Sequence, residues 1–78
     1  MEKREMEQKI MELIRETAET EEVEKDMDLM DDIGFSSIEV MDLVAGCEAV
    51  FGVKISSRDL RRVFTPQDLI DLIEEKVQ

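Results

Sequence analysis

The sequence predicts an all-α fold: a bundle of three main helices plus one short helix, with a long loop between helices 1 and 2. Apolar residues recur at three- and four-residue steps, and no run alternates as a half-buried strand requires. Gly and Pro are few, three and one among 78 residues, and most of them fall between the periodic stretches. Residues 1–78 are therefore expected to form a single domain.

The first helix is expected from about Glu2 to Glu19. Charged residues occupy most positions outside one apolar stripe, as in an amphipathic helix with one buried face. The stripe comprises Met6, Ile10, Leu13, Ile14 and Thr17.

A long polar connection then runs from about Thr20 to Phe35. Loops of this length are uncommon unless they are functional or disordered. Apolar residues spaced along the connection predict a loop that is pinned to the core: Val23, Leu29, Met30 and Ile33.

The second helix is expected to begin at Ser36 or just after it and to end at Gly52. Residues 36–39 have the capping-box pattern, in which the Ser36 hydroxyl and the Glu39 carboxylate each accept a backbone N–H. Gly46 lies inside this helix and should cost about 1 kcal/mol relative to Ala, unless it permits close packing.

The remaining chain predicts one short helix and one longer helix. Ser56 or Ser57 can cap the short helix, expected from Arg58 to about Phe64. Thr65 suits the cap of the last helix, and Pro66 suits its first position. The expected buried stripe of the last helix is Leu69, Ile70, Ile73 and Val77.

The charge balance is strongly acidic, with 10 basic and 21 acidic residues and a formal net charge of −11 at pH 7. Such a surface repels nucleic acid and anionic membranes and attracts basic partners at salt-dependent rates. Solubility alone is the alternative explanation. No apolar run approaches the ~20 residues of a membrane span, and residues 1–9 are polar. We therefore expect no signal peptide, no stable membrane insertion and a monomer in the cytoplasm.

Few residues suit catalysis or metal binding. The chain has no His and one Cys, which excludes an internal disulfide and argues against zinc. Cys47 is expected to be a small buried hydrophobe in a reducing compartment. The acidic loop residues suggest a calcium loop, but the central Gly and the closing Glu of such a site are missing. We therefore favour a solvated loop, or one with loosely associated cations, for Asp26, Asp28, Asp31 and Asp32. We assign no metal ligand and no catalytic residue, and we do not expect an enzyme.

Residues 32–43 carry the most informative pattern. They resemble the phosphopantetheine attachment site of the acyl carrier protein family, which includes acyl and peptidyl carriers. The family pattern is roughly Asp-Leu-Gly, two residues, then Ser-Leu-Asp/Glu. Residues 32–34 match its first part, and residues 37–39 match its second. Asp42, Glu48 and residues 51–53 continue the register, so the resemblance covers nearly the whole chain.

The resemblance implies that Ser37 carries a covalent 4′-phosphopantetheine arm, attached from coenzyme A by a phosphopantetheinyl transferase with Mg²⁺. The arm's thiol would carry acyl or aminoacyl intermediates as thioesters in fatty acid, polyketide or related biosynthesis. Partners would be loading, condensing and transferring enzymes with basic docking patches. The second helix is the family's recognition surface, which implies partner-binding roles for Ile38, Glu39, Asp42 and Glu48. An unmodified acidic docking module is the alternative function.

The physical argument also favours Ser37 over Ser36. The Ser36 side chain serves as the cap, whereas Ser37 falls in the first turn, where the helix dipole stabilises a phosphodiester. Two helix-start serines with no covalent role are the alternative.

Two departures from the family pattern are visible. Ser36 stands where the family usually has Asp, which removes one charge that a transferase could recognise. Small and apolar residues make the second helix less acidic than usual, which favours a dedicated carrier over a general one, although neutral surface choices explain them equally well: Ala45, Gly46, Ala49 and Val50.

A basic cluster surrounds the third helix, comprising Lys54, Arg58, Arg61 and Arg62. These residues either pair with the acidic loop or last helix, which we favour, or meet an acidic patch on a partner. Ion pairs of the first kind are screened by solvent and weak.

Overall fold

The computed structural model describes residues 2–78 and contains four helices in that range and no β-strand. The helices are α1 (Lys3–Ala18), α2 (Ser37–Phe51), α3 (Ser57–Leu60) and α4 (Pro66–Val77). The all-α prediction of three main helices and one short helix is confirmed.

Helix α1 forms the centre of the packing, because it contacts both α2 and α4. Its predicted stripe is confirmed at Met6, Ile10 and Ile14, which are buried, while Leu13 and Thr17 are half-buried. Met11 is also buried, although it lies outside the predicted stripe. The helix ends where Glu19 adopts a left-handed conformation with φ 58°.

One apolar cluster joins all three main helices to the loop. Most of its members are aliphatic, in keeping with a chain that has three aromatic residues. The buried members are Ile10, Met11, Ile14, Val23, Leu29, Phe35, Leu43, Cys47, Val63, Leu69, Ile70, Leu72 and Ile73.

The loop between α1 and α2 is pinned as predicted at Val23 and Leu29, which are 1% exposed, and Ile33 is half-buried. The prediction was wrong for Met30, which is 50% exposed. The carboxylate of Asp28 accepts the N–H groups of Met30 and Asp31 at 2.9 and 2.8 Å. This turn places the Leu29 side chain in the core and the Met30 side chain in solvent.

The third helix is shorter than predicted, and it begins one residue earlier. Ser56 caps it through a capping box with Asp59, and regular α-helix ends at Leu60. Tighter turns follow, in which the N–H groups of residues 61–63 each donate to the carbonyl three residues earlier. The Phe64 side chain is then 61% exposed, although its backbone is bound on both sides, to Leu29 and to Asp68.

Helix α4 begins with the predicted Thr65 cap and Pro66. Its stripe is buried at Leu69, Ile70 and Ile73, but Val77 is 42% exposed, so that prediction was wrong. Lys3, at the start of α1, pairs with Glu74 of α4 at 3.4 Å. Val77 therefore lies almost a turn beyond the start of α1, where no described residue of α1 covers it.

Candidate functional site

The candidate site is the start of α2, and the preceding loop holds it in place. The Leu29 N–H donates to the Phe64 carbonyl at 2.8 Å, and the Phe35 N–H donates to the Leu29 carbonyl at 2.9 Å. The Phe35 side chain is buried, and Gly34 before it has φ 93°, a conformation that favours glycine. The chain therefore enters α2 from a fixed point.

The capping box predicted from residues 36–39 is present. The Ser36 Oγ accepts the Glu39 N–H at 3.2 Å, and the Glu39 Oε1 accepts the Ser36 N–H at 2.9 Å. Ser36 itself is extended, with φ −78° and ψ 168°. Its side chain is committed to the backbone, as the assignment of Ser36 to the cap requires.

Ser37 is the first residue of α2 and is exposed. Within residues 2–78, the N–H groups of Ser37 and Ile38 have no acceptor, whereas the Val40 N–H begins the helical ladder by donating to the Ser36 carbonyl. Free N–H groups at a helix start, together with the helix dipole, favour an anion there. The structure thus places a solvent-facing hydroxyl beside an anion-stabilising backbone.

The four predicted partner-binding residues divide into two pairs. Ile38 is 72% exposed and Asp42 is exposed, so both are open to a partner. The carboxylate of Glu39 is held in the capping box, and that of Glu48 accepts the Ile55 N–H at 2.8 Å. Glu48 is also half-buried. These two carboxylates hold the ends of α2, a role that the sequence pattern showed only for Glu39.

The basic cluster is split by the fold. Arg62 pairs with Asp59 at 3.5 Å and with Glu75 of α4 at 3.7 Å, which agrees with the favoured expectation. Lys54, Arg58 and Arg61 are exposed and, within residues 2–78, form no ion pair. The expectation of internal pairing therefore holds for Arg62 alone.

Asp59 is the main link between α3 and α4. It accepts an ionic contact from Lys76 at 2.9 Å and completes the Ser56 capping box. The pKa of Asp59 is held well below its ordinary value, first by the hydrogen bond from Lys76 and next by the hydrogen bond from the Ser56 N–H.

Cys47 and the loop acids fall outside the site. Burial raises the pKa of the Cys47 thiol from 9.0 to about 11, so it stays protonated as a core residue. The Asp32 carboxylate accepts the Asp28 N–H at 2.7 Å, which closes the loop. In the described part of the chain, no three His, Cys, Asp or Glu side chains form a group that could hold a metal ion.

A family model described as "phosphopantetheine attachment site" matches residues 8–73. This match includes the whole candidate site. The chain belongs to the phosphopantetheine-attachment family of acyl carrier proteins. Members of this family carry intermediates and do not catalyse reactions.

Curated acyl carrier proteins are similar over most of the chain. An acyl carrier protein from Coprothermobacter proteolyticus is 30% identical over 79 residues, which cover 99% of this chain and 96% of the relative. An acyl carrier protein 2 from Pseudomonas aeruginosa is 41% identical over 56 residues, covering 72% and 71%. One from Thermotoga maritima is 38% identical over 56 residues, covering 72% and 69%.

The cofactor of this family, 4′-phosphopantetheine, fits the start of α2 in this carrier. A phosphodiester needs an exposed hydroxyl for attachment and donors for its negative charge. The first turn supplies an exposed serine hydroxyl and two N–H groups that lack an acceptor within residues 2–78. When bound, the group supplies a thiol that holds an acyl group as a thioester.

Among the described residues, no helix is both long and apolar enough to cross a bilayer.

Proposed function

We propose that residues 1–78 form one monomeric carrier domain in which Ser37 bears the phosphopantetheine arm. The observation that carries this proposal is the exposed Ser37 at the first position of α2, beside a neighbour whose hydroxyl is already bound. The family model spans this position.

The attachment reaction follows from the hydroxyl and coenzyme A. The Ser37 Oγ attacks the phosphorus that bears the pantetheine arm, and a new P–O bond forms. The bond from that phosphorus to the bridging oxygen breaks, and adenosine 3′,5′-bisphosphate leaves. A base of the transferase takes the hydroxyl proton. The free N–H groups of the first turn then lie beside the new phosphodiester and stabilise its charge.

The finished carrier delivers acyl or aminoacyl thioesters to enzymes of fatty acid, polyketide or related biosynthesis in the cytoplasm. Its net charge of −11 supports docking to partners with basic patches, because opposite charges speed encounter. Ile38 and Asp42, which face solvent, are the proposed contacts of α2 with those partners.

Intact-mass measurement tests the attachment site. The purified chain is incubated with coenzyme A, Mg²⁺ and a broad-specificity phosphopantetheinyl transferase. We expect a gain of one phosphopantetheine in the wild type and in Ser36→Asn, which keeps a capping side chain but has no hydroxyl. We expect no gain in Ser37→Ala. A gain by Ser37→Ala would refute the assignment, and no gain by the wild type with several transferases would favour the unmodified docking module.

A further inference from the structure

The Glu39 carboxylate lies next to the modified position but bonds to the backbone. Its Oε1 accepts the Ser36 N–H at 2.9 Å, and its own N–H donates to the Ser36 Oγ at 3.2 Å. Ser37 and Ile38 lie between the two residues that these bonds join. The closed turn therefore fixes the position of the Ser37 hydroxyl and of the Ser37 and Ile38 N–H groups.

Asp42, one turn further along α2, has the opposite environment. It is exposed, and within residues 2–78 its carboxylate makes neither a hydrogen bond nor an ion pair. Residues three or four apart lie on one helix face, so Glu39 and Asp42 face the same side. A basic partner that approaches this side can pair with Asp42 without breaking any bond of the carrier.

We propose that Glu39 is a positioning residue for the modification of Ser37, an inference that rests on the proposed function. Its carboxylate holds the Ser36 backbone, and through it the turn that presents the Ser37 hydroxyl to the transferase. What matters at position 39 is then an oxygen acceptor of the right reach. The negative charge that the transferase reads on this face belongs to Asp42.

Matched variants separate the acceptor from the charge. Gln keeps an oxygen acceptor at the same reach as Glu but has no charge, whereas Ala has neither. Initial rates of phosphopantetheine transfer from coenzyme A are measured for Glu39→Gln, Glu39→Ala and Asp42→Asn, with kcat and KM determined separately at low and high salt. Circular dichroism checks that each variant is folded at the assay temperature.

We expect Glu39→Gln to stay within about twofold of the wild-type kcat/KM and to keep its salt dependence. We expect Glu39→Ala to lose about fivefold, the effect of opening a helix cap in part of the population. Asp42→Asn should raise KM and weaken the salt dependence, because it removes uniform binding energy from an ion pair. Hydrogen exchange of the Ser36 N–H should stay slow in Glu39→Gln and become faster in Glu39→Ala.

Two results overturn the inference alone: a Glu39→Gln variant that loses as much as Glu39→Ala, or a Glu39→Ala variant equal to the wild type. Either result leaves the attachment site intact, because the wild type is still modified. No modification of the wild type overturns the proposed function and this inference with it. In that case the hydrogen-exchange rate of the Ser36 N–H still shows whether the capping bond forms, because its measurement does not depend on the transfer reaction.

Discussion

The Glu48 carboxylate joins the end of α2 to the chain that leads into α3, and its removal should destabilise the fold measurably. Its Oε2 accepts the Ile55 N–H at 2.8 Å in a half-buried setting. A hydrogen bond to a charged group contributes about 1.5–3 kcal/mol. Ala regains a few tenths through helix propensity. We therefore expect Glu48→Ala to lower the free energy of unfolding by roughly 1–2.5 kcal/mol.

For a domain of this size, that change lowers Tm by roughly 4–20 °C. Urea unfolding followed by far-UV circular dichroism is the suitable assay, since the chain has no Trp or Tyr for fluorescence. Glu48→Gln is the matched control, because it keeps an oxygen acceptor, and it should lose less than half as much. Asp42→Asn controls for loss of charge on α2 and should stay within about 0.5 kcal/mol. Equal midpoints for Glu48→Ala and Glu48→Gln would refute the reasoning.

Further perturbations test the fold. A Cβ at Gly46 meets no atom within 4 Å, so Gly46→Ala should raise the free energy of unfolding by up to about 1 kcal/mol. Gly52 has φ 64°, so Gly52→Ala should lower the free energy of unfolding by about 1 kcal/mol. A urea midpoint below that of the wild type for Gly46→Ala, or above it for Gly52→Ala, would contradict the corresponding prediction. The pKa of Asp59 lies below its ordinary value of 3.8 because of the Lys76 hydrogen bond, so this carboxylate stabilises the fold above about pH 4 and loses that effect as the pH falls through its folded pKa. The stability lost in Asp59→Asn should therefore shrink on acidification, and a loss that is constant with pH in urea titrations would count against the pair. Burial raises the pKa of Cys47 to about 11, so little reactive thiolate forms in the native protein. At about pH 8, iodoacetamide should therefore modify Cys47 about 100-fold more slowly in the native protein than in urea. Intact mass measures both rates, and equal rates would mean that the thiol is accessible in the native protein.

Signals within four residues of one another account for what the sequence predicted well. The side-chain caps at Ser36 and Thr65 each accept an N–H three residues later, and Pro66 and Gly52 act on their own backbone. Such interactions form in any environment that lets the helix begin. The start of α2, and with it the position of Ser37, could therefore be found from the order of residues alone.

The errors have a common cause in contacts between distant parts of the chain. Met30 is as apolar as its buried neighbour Leu29, but the Leu29 N–H bonds to the carbonyl of the distant Phe64, and with Leu29 held in the core Met30 lies 50% exposed. Val77 keeps the correct helical spacing and is exposed only because α1 begins beside Glu74. No local pattern reports where a neighbouring helix ends.

The sequence by itself determined the three main helices, the caps at Ser36 and Thr65, the acidic surface and the serine at the start of α2, since each depends on adjacent residues or on composition. Only the tertiary structure showed that the Glu48 carboxylate is engaged and that the Asp42 carboxylate is open, since the sequence pattern had already assigned Glu39 to the capping box. The N–H that donates to Glu48 belongs to Ile55, seven residues away and beyond the end of α2, whereas Asp42 has no such neighbour within the described residues. Burial and hydrogen bonding of a side chain depend on what the folded chain brings next to it, and this is why the composition of α2 could not separate them.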